Sequence, residues 1–226
     1  MESSQAKVTL DLNRVYKHRF EWLKSDKRNK TWQIIADWIE KQTDRPQVVL
    51  DPAAGSGEFI VASRANERWA CDIIDHRGFW PANVKTVFGD IFGLTLPSGY
   101  FDMIFVSNFL EHLASPDRVY EYLMRLRDCI KPGGLLVIMG PNYRFCAAEY
   151  FDFADHLLPL SDRTIQEHLA AVDLRCERVV PRFLPLSFRS QRYSTPLMVK
   201  IYLRLPLVWR FFGKQFFIVA SRPPVS

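Results

Sequence analysis

Val48-Val49-Leu50-Asp51-Pro52-Ala53-Ala54-Gly55-Ser56-Gly57-Glu58-Phe59 reads as a strand, a glycine turn and the opening of a helix. The apolar run supplies a strand buried on both faces, and the glycines let a ligand press against the backbone. Amides exposed at the start of the helix favour the negative end of a ligand. The segment is not a G-x-G-x-x-G fingerprint, and it lacks the Gly-Lys-[Ser/Thr] of a phosphate loop. Asp72 ends the next short strand, which starts at Arg68, and lies 17 residues beyond Gly55. That is near the roughly 20-residue offset at which an acid accepts hydrogen bonds from ribose hydroxyls, with Asp75 as the alternative acid.

Outward from this turn, short apolar runs alternate with helical stretches. Before it, Trp32, Ile35, Ala36 and Ile39 form one stripe on a helix that ends before Pro46. After it come a helix near Glu58 to Asn66 and strands at Val84 to Phe88, Phe101 to Ser107 and Leu135 to Met139. Ser115 as N-cap and Pro116 at the first helical position open a helix whose Val119, Leu123, Leu126 and Ile130 share a face. Continuous apolar strands alternating with helices predict an α/β fold, a parallel sheet doubly wound by right-handed crossovers. Glu177 to Phe183 and Gln215 to Ala220 read as the last strands, the final one antiparallel. Three regions follow: an N-terminal helical cap over 1–45, a main domain over 46–226, and an insert over 184–213 between the last two strands.

The chain has 226 residues, long enough for one domain with an appended cap. Its net charge of +5 is unevenly placed. Residues 179–226 hold eight basic residues and no acid, so the remainder carries −3. Such a tail suggests an anionic partner. Lys200 and Arg204 lie one helical turn apart beside Leu197, Met198, Ile201, Tyr202 and Leu205. This fits a lid packed on the domain with snorkelling cations, the favoured reading, or peripheral membrane contact through 195–212. Nucleic acid ranks third, because no binding motif accompanies the charge. The four cysteines are widely spaced and form no metal or redox motif, and no leader or spanning segment is recognised, so a cytoplasmic protein is expected.

Asp51-x-Ala53-x-Gly55-x-Gly57, Asp72, Gly89-Asp90-Ile91, Phe101-Asp102-Met103-Ile104 and Lys131-Pro132-Gly133-Gly134 stand in an order that resembles the motifs of class I S-adenosylmethionine-dependent methyltransferases. The resemblance covers about residues 46–140 and departs from the family at Ala53, where a glycine is usual. It implies a Rossmann-like, seven-stranded, mostly parallel sheet with an antiparallel last strand, and S-adenosylmethionine as cofactor. The turn Ala53 to Gly57 would carry the methionine part, Asp72 the ribose, and Asp90 the adenine amino group, with Ile73 and Ile91 on the ring faces. Asp51 and Asn108 complete the expected cofactor site.

The turn is also similar to that of DNA amino-methyltransferases, which hold a flipped base with an [Asn/Asp/Ser]-Pro-Pro-[aromatic] tetrapeptide after the fourth strand. Here that place reads Ser107-Asn108-Phe109-Leu110-Glu111-His112-Leu113, without proline, so a nucleic-acid methyltransferase is kept only as an alternative reading, beside a non-catalytic methyltransferase-like binding module. The stretch is instead similar to ubiquinone-biosynthesis-like O-methyltransferases, whose Glu-x-x-Glu-His can bind a divalent metal. Asn108 replaces the first glutamate, so no metal is assigned. His112 is one candidate general base, since a near-neutral imidazole suits deprotonation of an alcohol or phenol. Farther on, Pro141-Asn142-x-Arg144, Tyr150-Phe-Asp-Phe-x-Asp-His156, Arg182-Phe-Leu-Pro and Gly213-Lys-Gln resemble bacterial methyltransferases associated with glycan assembly. His156, beside Asp152 and Asp155, is the second base candidate, and Arg144, Arg182 and Arg189 are candidates for an anionic substrate. The expected acceptor is a small molecule, a sugar or a lipid-linked glycan precursor.

Overall fold

The apolar runs become strands of one sheet: β1 (Val48–Asp51), β2 (Glu67–Asp72), β3 (Val84–Phe88), β4 (Phe101–Ser107), β5 (Ile130–Pro141), β6 (Arg175–Val180) and β7 (Gln215–Ser221). They form a seven-stranded sheet in the order β3-β2-β1-β4-β5-β7-β6. β1 is parallel to β2 and β4, β2 to β3, and β4 to β5. β7 is antiparallel to both neighbours, β5 and β6. The mostly parallel sheet with an antiparallel closing strand is therefore present, and that strand enters between β5 and β6. The computed structural model describes residues 11, 14, 15, 26–75, 78, 80–186 and 195–224.

Helices cover both faces, which is why the central strands are apolar throughout. On one face lie α1 (Asp26–Gln42) and the short α2 (Glu58–Ala62). Ile35, Ala36 and Ile39 of α1 are fully buried, as the stripe predicts, in a cluster with Phe59, Met103, Phe105 and Phe217. On the other face lie α3 (Pro116–Cys129) and α5 (Asp162–Ala171), with the kinked α4 (Tyr143–Tyr150) between them in sequence. Val119, Leu123 and Leu126 of α3 pack there with Ile165 and Leu169 of α5. Ser115 caps α3, its Oγ accepting from the Arg118 amide at 3.3 Å.

Two tertiary contacts set boundaries that local pattern misses. The helix expected to reach Asn66 stops at Ala62, because Ser63 turns extended and its hydroxyl donates to the buried Glu40 carboxylate at 2.5 Å. The same carboxylate takes the Arg64 amide at 3.0 Å, which offsets the lost helical bonds. At the start of β1, Asp102 accepts from the amides of Val48 (2.8 Å) and Gln47 (3.1 Å) and from Lys131 Nζ (2.6 Å). Partial burial pushes its carboxyl up, but the Lys131 and backbone bonds outweigh this and hold it below the ordinary carboxylate value.

Between β6 and β7 lie two helices of about two turns each, α6 (Pro196–Leu203) and α7 (Pro206–Phe212). Val199, Leu203 and Trp209 anchor them to the core. There Trp38 of α1 stacks on Phe183 at 4.8 Å and meets Trp209 edge-on at 5.7 Å. No helix among the described residues is long and apolar enough to cross a membrane. All four cysteines are free, and burial pushes the Cys71 thiol up to about 12.

Candidate functional site

The carboxyl ends of β1, β2, β3 and β4 lie side by side, and the strand order reverses between β1 and β4. That switch point is where open α/β sheets bind ligands. The expected cofactor residues Asp51, Asp72, Asp90 and Asn108 end these four strands or follow them directly.

The glycine turn is tied to its neighbours by backbone bonds. Ala54 N donates to Cys71 O at 2.9 Å and Gly89 N donates to Asp72 O at 3.0 Å, so the chain segments after β1, β2 and β3 are joined by backbone bonds. Asp72 Oδ2 accepts from Gly55 N at 2.8 Å, and Oδ1 accepts from Ile74 N at 2.9 Å. Gly55 (φ +52°) has open space where a side chain would stand, whereas a Cβ on Gly57 (φ +82°) would meet the Trp80 ring at 2.5 Å. The first glycine leaves a cradle, and the second accommodates a tryptophan. Asp51 is buried, and burial holds its carboxyl well above the usual carboxylate range against the opposing Ala53 amide. Ile73 is 69% exposed at the edge and Asp90 is exposed beside it. Ile91 instead packs in the core with Leu50 and Cys71, so of the two isoleucines only Ile73 presents its side chain at the surface. Open backbone at Gly55, acceptors on adjacent strand ends and an apolar side chain at the rim fit the methionine, ribose and ring of S-adenosylmethionine.

Beyond β4, Asn108 adopts a left-handed backbone (φ +49°), and its amide donates to Met139 O at 2.9 Å. This sharp exit turns the chain into a 3-10 turn, Leu110–His112. The loop after α4 folds back onto that turn, with Leu157 N (2.7 Å) and Leu158 N (3.1 Å) donating to Glu111 O. Both candidate bases therefore meet: the His112 and His156 ring centroids are 5.2 Å apart. His112 Nδ1 lies 2.8 Å from Asp155 O, and His156 is held by a stacked Phe153 at 4.7 Å and an edge-on Tyr150 at 4.8 Å. The buried Glu111 brings Oε1 to 4.0 Å from His112 Nε2. Ligand atoms of Glu111, His112 and His156 lie within 4.8 Å of one another. An ion bonded at about 2.0–2.2 Å would draw such a set together, and imidazole is also a side chain suited to proton transfer near neutral pH.

Next to this cluster is an open cleft of about 330 Å³ lined by Glu149, Asp152, Phe153, Pro185, Phe212 and Lys214, among others. Lys214 Nζ pairs with Glu149 at 2.5 Å. Glu149 carries no sequence signal beyond its helix, and Lys214 shows only as part of Gly213-Lys-Gln. Two of the three arginines considered for an anionic substrate have structural partners. Arg144 pairs with the buried Asp162 at 2.9 Å, and Asn142 donates to the same carboxylate at 2.7 Å. Arg182 donates to Gly213 O at 3.0 Å and lies over Phe145. Arg189 falls outside the described residues. Among the described residues that line the cleft, the cation is Lys214, in its pair with Glu149.

Comparison with known proteins adds to this geometry. A family model described as a methyltransferase domain matches residues 21–179, more than half the chain. No curated protein matches the sequence. Among solved structures, a SAM-dependent methyltransferase from Archaeoglobus fulgidus is similar at a TM-score of 0.64 and 19% identity, covering 93% of this chain and 100% of its own. An S-adenosylmethionine-dependent methyltransferase from Mesorhizobium loti gives a TM-score of 0.57 at 14% identity, covering 83% and 98%. A geranyl diphosphate C-methyltransferase from Streptomyces coelicolor, in complex with Mg2+, a geranyl thiolodiphosphate and S-adenosyl-L-homocysteine, gives 0.57 at 14%, covering 78% and 69%. At these identities the likeness speaks for the fold.

Proposed function

The chain belongs to the methyltransferase-domain family as a class I enzyme using S-adenosylmethionine, and from that premise we propose that it methylates an oxygen of a small molecule, a sugar or a lipid-linked glycan precursor. The observation that carries this reading is the meeting of His112 and His156 beyond the end of β4, beside the cleft that Phe153 lines.

When bound, S-adenosylmethionine supplies a methyl group already activated on a sulfonium. The protein's tasks are to align an acceptor and, for a hydroxyl, to remove its proton. Asp51, Ala53, Gly55, Gly57, Asp72, Ile73, Asp90, Ile91 and Asn108 form the cofactor side in this reading. Gly55 offers backbone, Asp72 and Asp90 accept hydrogen bonds, Ile73 takes a ring face, and Ile91 supports the loop from the core. His112 or His156 takes the proton. A carbonyl only accepts, so the Asp155 contact fixes the proton on His112 Nδ1 and leaves the Nε2 lone pair for the acceptor.

The cleft beside Phe153 would seat the acceptor; Lys214 there is paired with Glu149, and with Asp152 also in the lining the cleft suits a neutral hydroxylated group better than an anionic one. The 1–45 cap and the 184–213 insert would flank it. In this reading the enzyme works in the cytoplasm, where four free thiols stay reduced. The experiment is methyl transfer to a panel of hydroxylated sugars, phenols and lipid-linked saccharides, with S-adenosylhomocysteine affinity measured in parallel. Cofactor binding with transfer only to nitrogen or carbon acceptors would overturn the oxygen assignment.

A further inference from the structure

Between Thr195 and Phe212 apolar side chains face two ways. Val199, Leu203 and Trp209 are buried against the core. On the opposite side Leu197, Met198, Ile201, Leu205, Leu207, Phe211 and Phe212 are exposed, Leu207 at 75% and Phe211 at 76%. Among the described residues, these are seven of twelve exposed large hydrophobics, gathered within two short helices. Single exposed leucines are ordinary, but a cluster of this size marks a contact surface.

The charges in the patch state what that contact is. Lys200, Arg204 and Arg210 are exposed among the apolar residues, and no carboxylate among the described residues pairs with them. The sequence from 179 to 226 contains no acid at all. We propose that the outer face of α6 and α7 docks on an anionic lipid bilayer, with Leu207 and Phe211 entering the acyl boundary and Lys200, Arg204 and Arg210 meeting the headgroups. Acyl chains and anionic headgroups are the two chemistries this face displays together. A second copy of the chain is a worse occupant, since a two-fold contact would set these cations against their own counterparts. Nucleic acid would meet the cations and leave the leucines and phenylalanines in water.

Phe212 connects this surface to the site. It belongs to the exposed patch and also lines the cleft, whose Phe153 stacks on His156. A molecule anchored in the bilayer by an acyl chain would thus present its polar head beside the histidines. That consequence rests on the proposed acceptor site, whereas docking itself does not.

The test mixes the full chain with vesicles of phosphatidylglycerol or of phosphatidylcholine and reads the bound fraction by sedimentation. Binding is expected to phosphatidylglycerol, weakening as salt rises, with little to phosphatidylcholine. At about fivefold per cation, Lys200→Gln, Arg204→Gln and Arg210→Gln together lower affinity about a hundredfold. Leu207→Ser with Phe211→Ser lowers it at least about tenfold. Unchanged S-adenosylhomocysteine affinity in both variants reports an intact fold, and unchanged transfer to a soluble acceptor separates the surface from the chemistry. No binding of the wild type to phosphatidylglycerol vesicles overturns the proposal, as does equal binding by either variant. A solution dimer that Leu207→Ser with Phe211→Ser dissolves also overturns it, in favour of a protein contact.

Discussion

His112 Nδ1 sits 2.8 Å from the main-chain oxygen of Asp155, the residue next to His156, so one hydrogen bond fixes the tautomer of the first imidazole and the position of the second. The Glu111 carbonyl, bound by Leu157 and Leu158, locks the same two loops from the other side.

His112→Ala and His156→Ala should each lower turnover, the more severe by about 10²–10⁴-fold, with S-adenosylhomocysteine affinity unchanged. Groups acting at one place are non-additive, so the double variant should lose less than the product of the two effects. If turnover survives in the double variant, neither imidazole is the base.

Asp72→Ala removes the acceptor for Gly55 N and the proposed ribose ligand in one step. Hydrogen bonds to a charged group contribute about 1.5–3 kcal/mol, so S-adenosylhomocysteine affinity by calorimetry should fall at least about tenfold. An affinity equal to wild type would remove Asp72 from the cofactor site.

Gly57→Ala and Gly55→Ala should differ sharply. Both require a left-handed backbone, which costs about 1–2 kcal/mol, but only at residue 57 does the new Cβ meet the Trp80 ring, at 2.5 Å. With overpacking added, Gly57→Ala should lose about 2–5 kcal/mol, or about 5–15 °C in Tm by calorimetry. Equal Tm values for the two variants would contradict this packing.

Asp102 predicts a pH dependence. Its carboxyl lies below the ordinary 3.8 in the folded protein, so on acidification the unfolded chain takes up the proton first. The stability that Asp102 contributes is present above about pH 4 and is lost as pH falls through the lowered folded value. Asp102→Asn should be less stable at neutral pH, with a shallower decline in Tm below about pH 4. An acid limb as steep as that of wild type would assign the decline to other carboxylates.

Much of the fold was legible because its determinants are local. Apolar runs of strand length, Ser115 followed by Pro116, and the two glycines after Asp51 act within a few residues, and each gave the expected element. The helix after Gly57 ends at Ala62, four residues short of the expected Asn66, because its end depends on Glu40, which approaches from α1 and has no local signature at Ser63. Ile91 is placed on a ring face by the family resemblance alone; its burial with Leu50 and Cys71 comes from packing against β1 and β2, which nothing within Gly89-Asp90-Ile91 encodes.

The α/β alternation, the strand-end carboxylates and the basic, acid-free tail are written in residue order, since each is a property of spacing at the period of a strand, a turn or a helix. That His112 and His156 share one place, that Arg144 is committed to Asp162, and that Val199 is buried while Leu207 is exposed are outcomes of the folded chain. Those outcomes depend on which loops the order β1-β4-β5-β7 brings together and on which side of a short helix the core lies, and neither is encoded within any single segment.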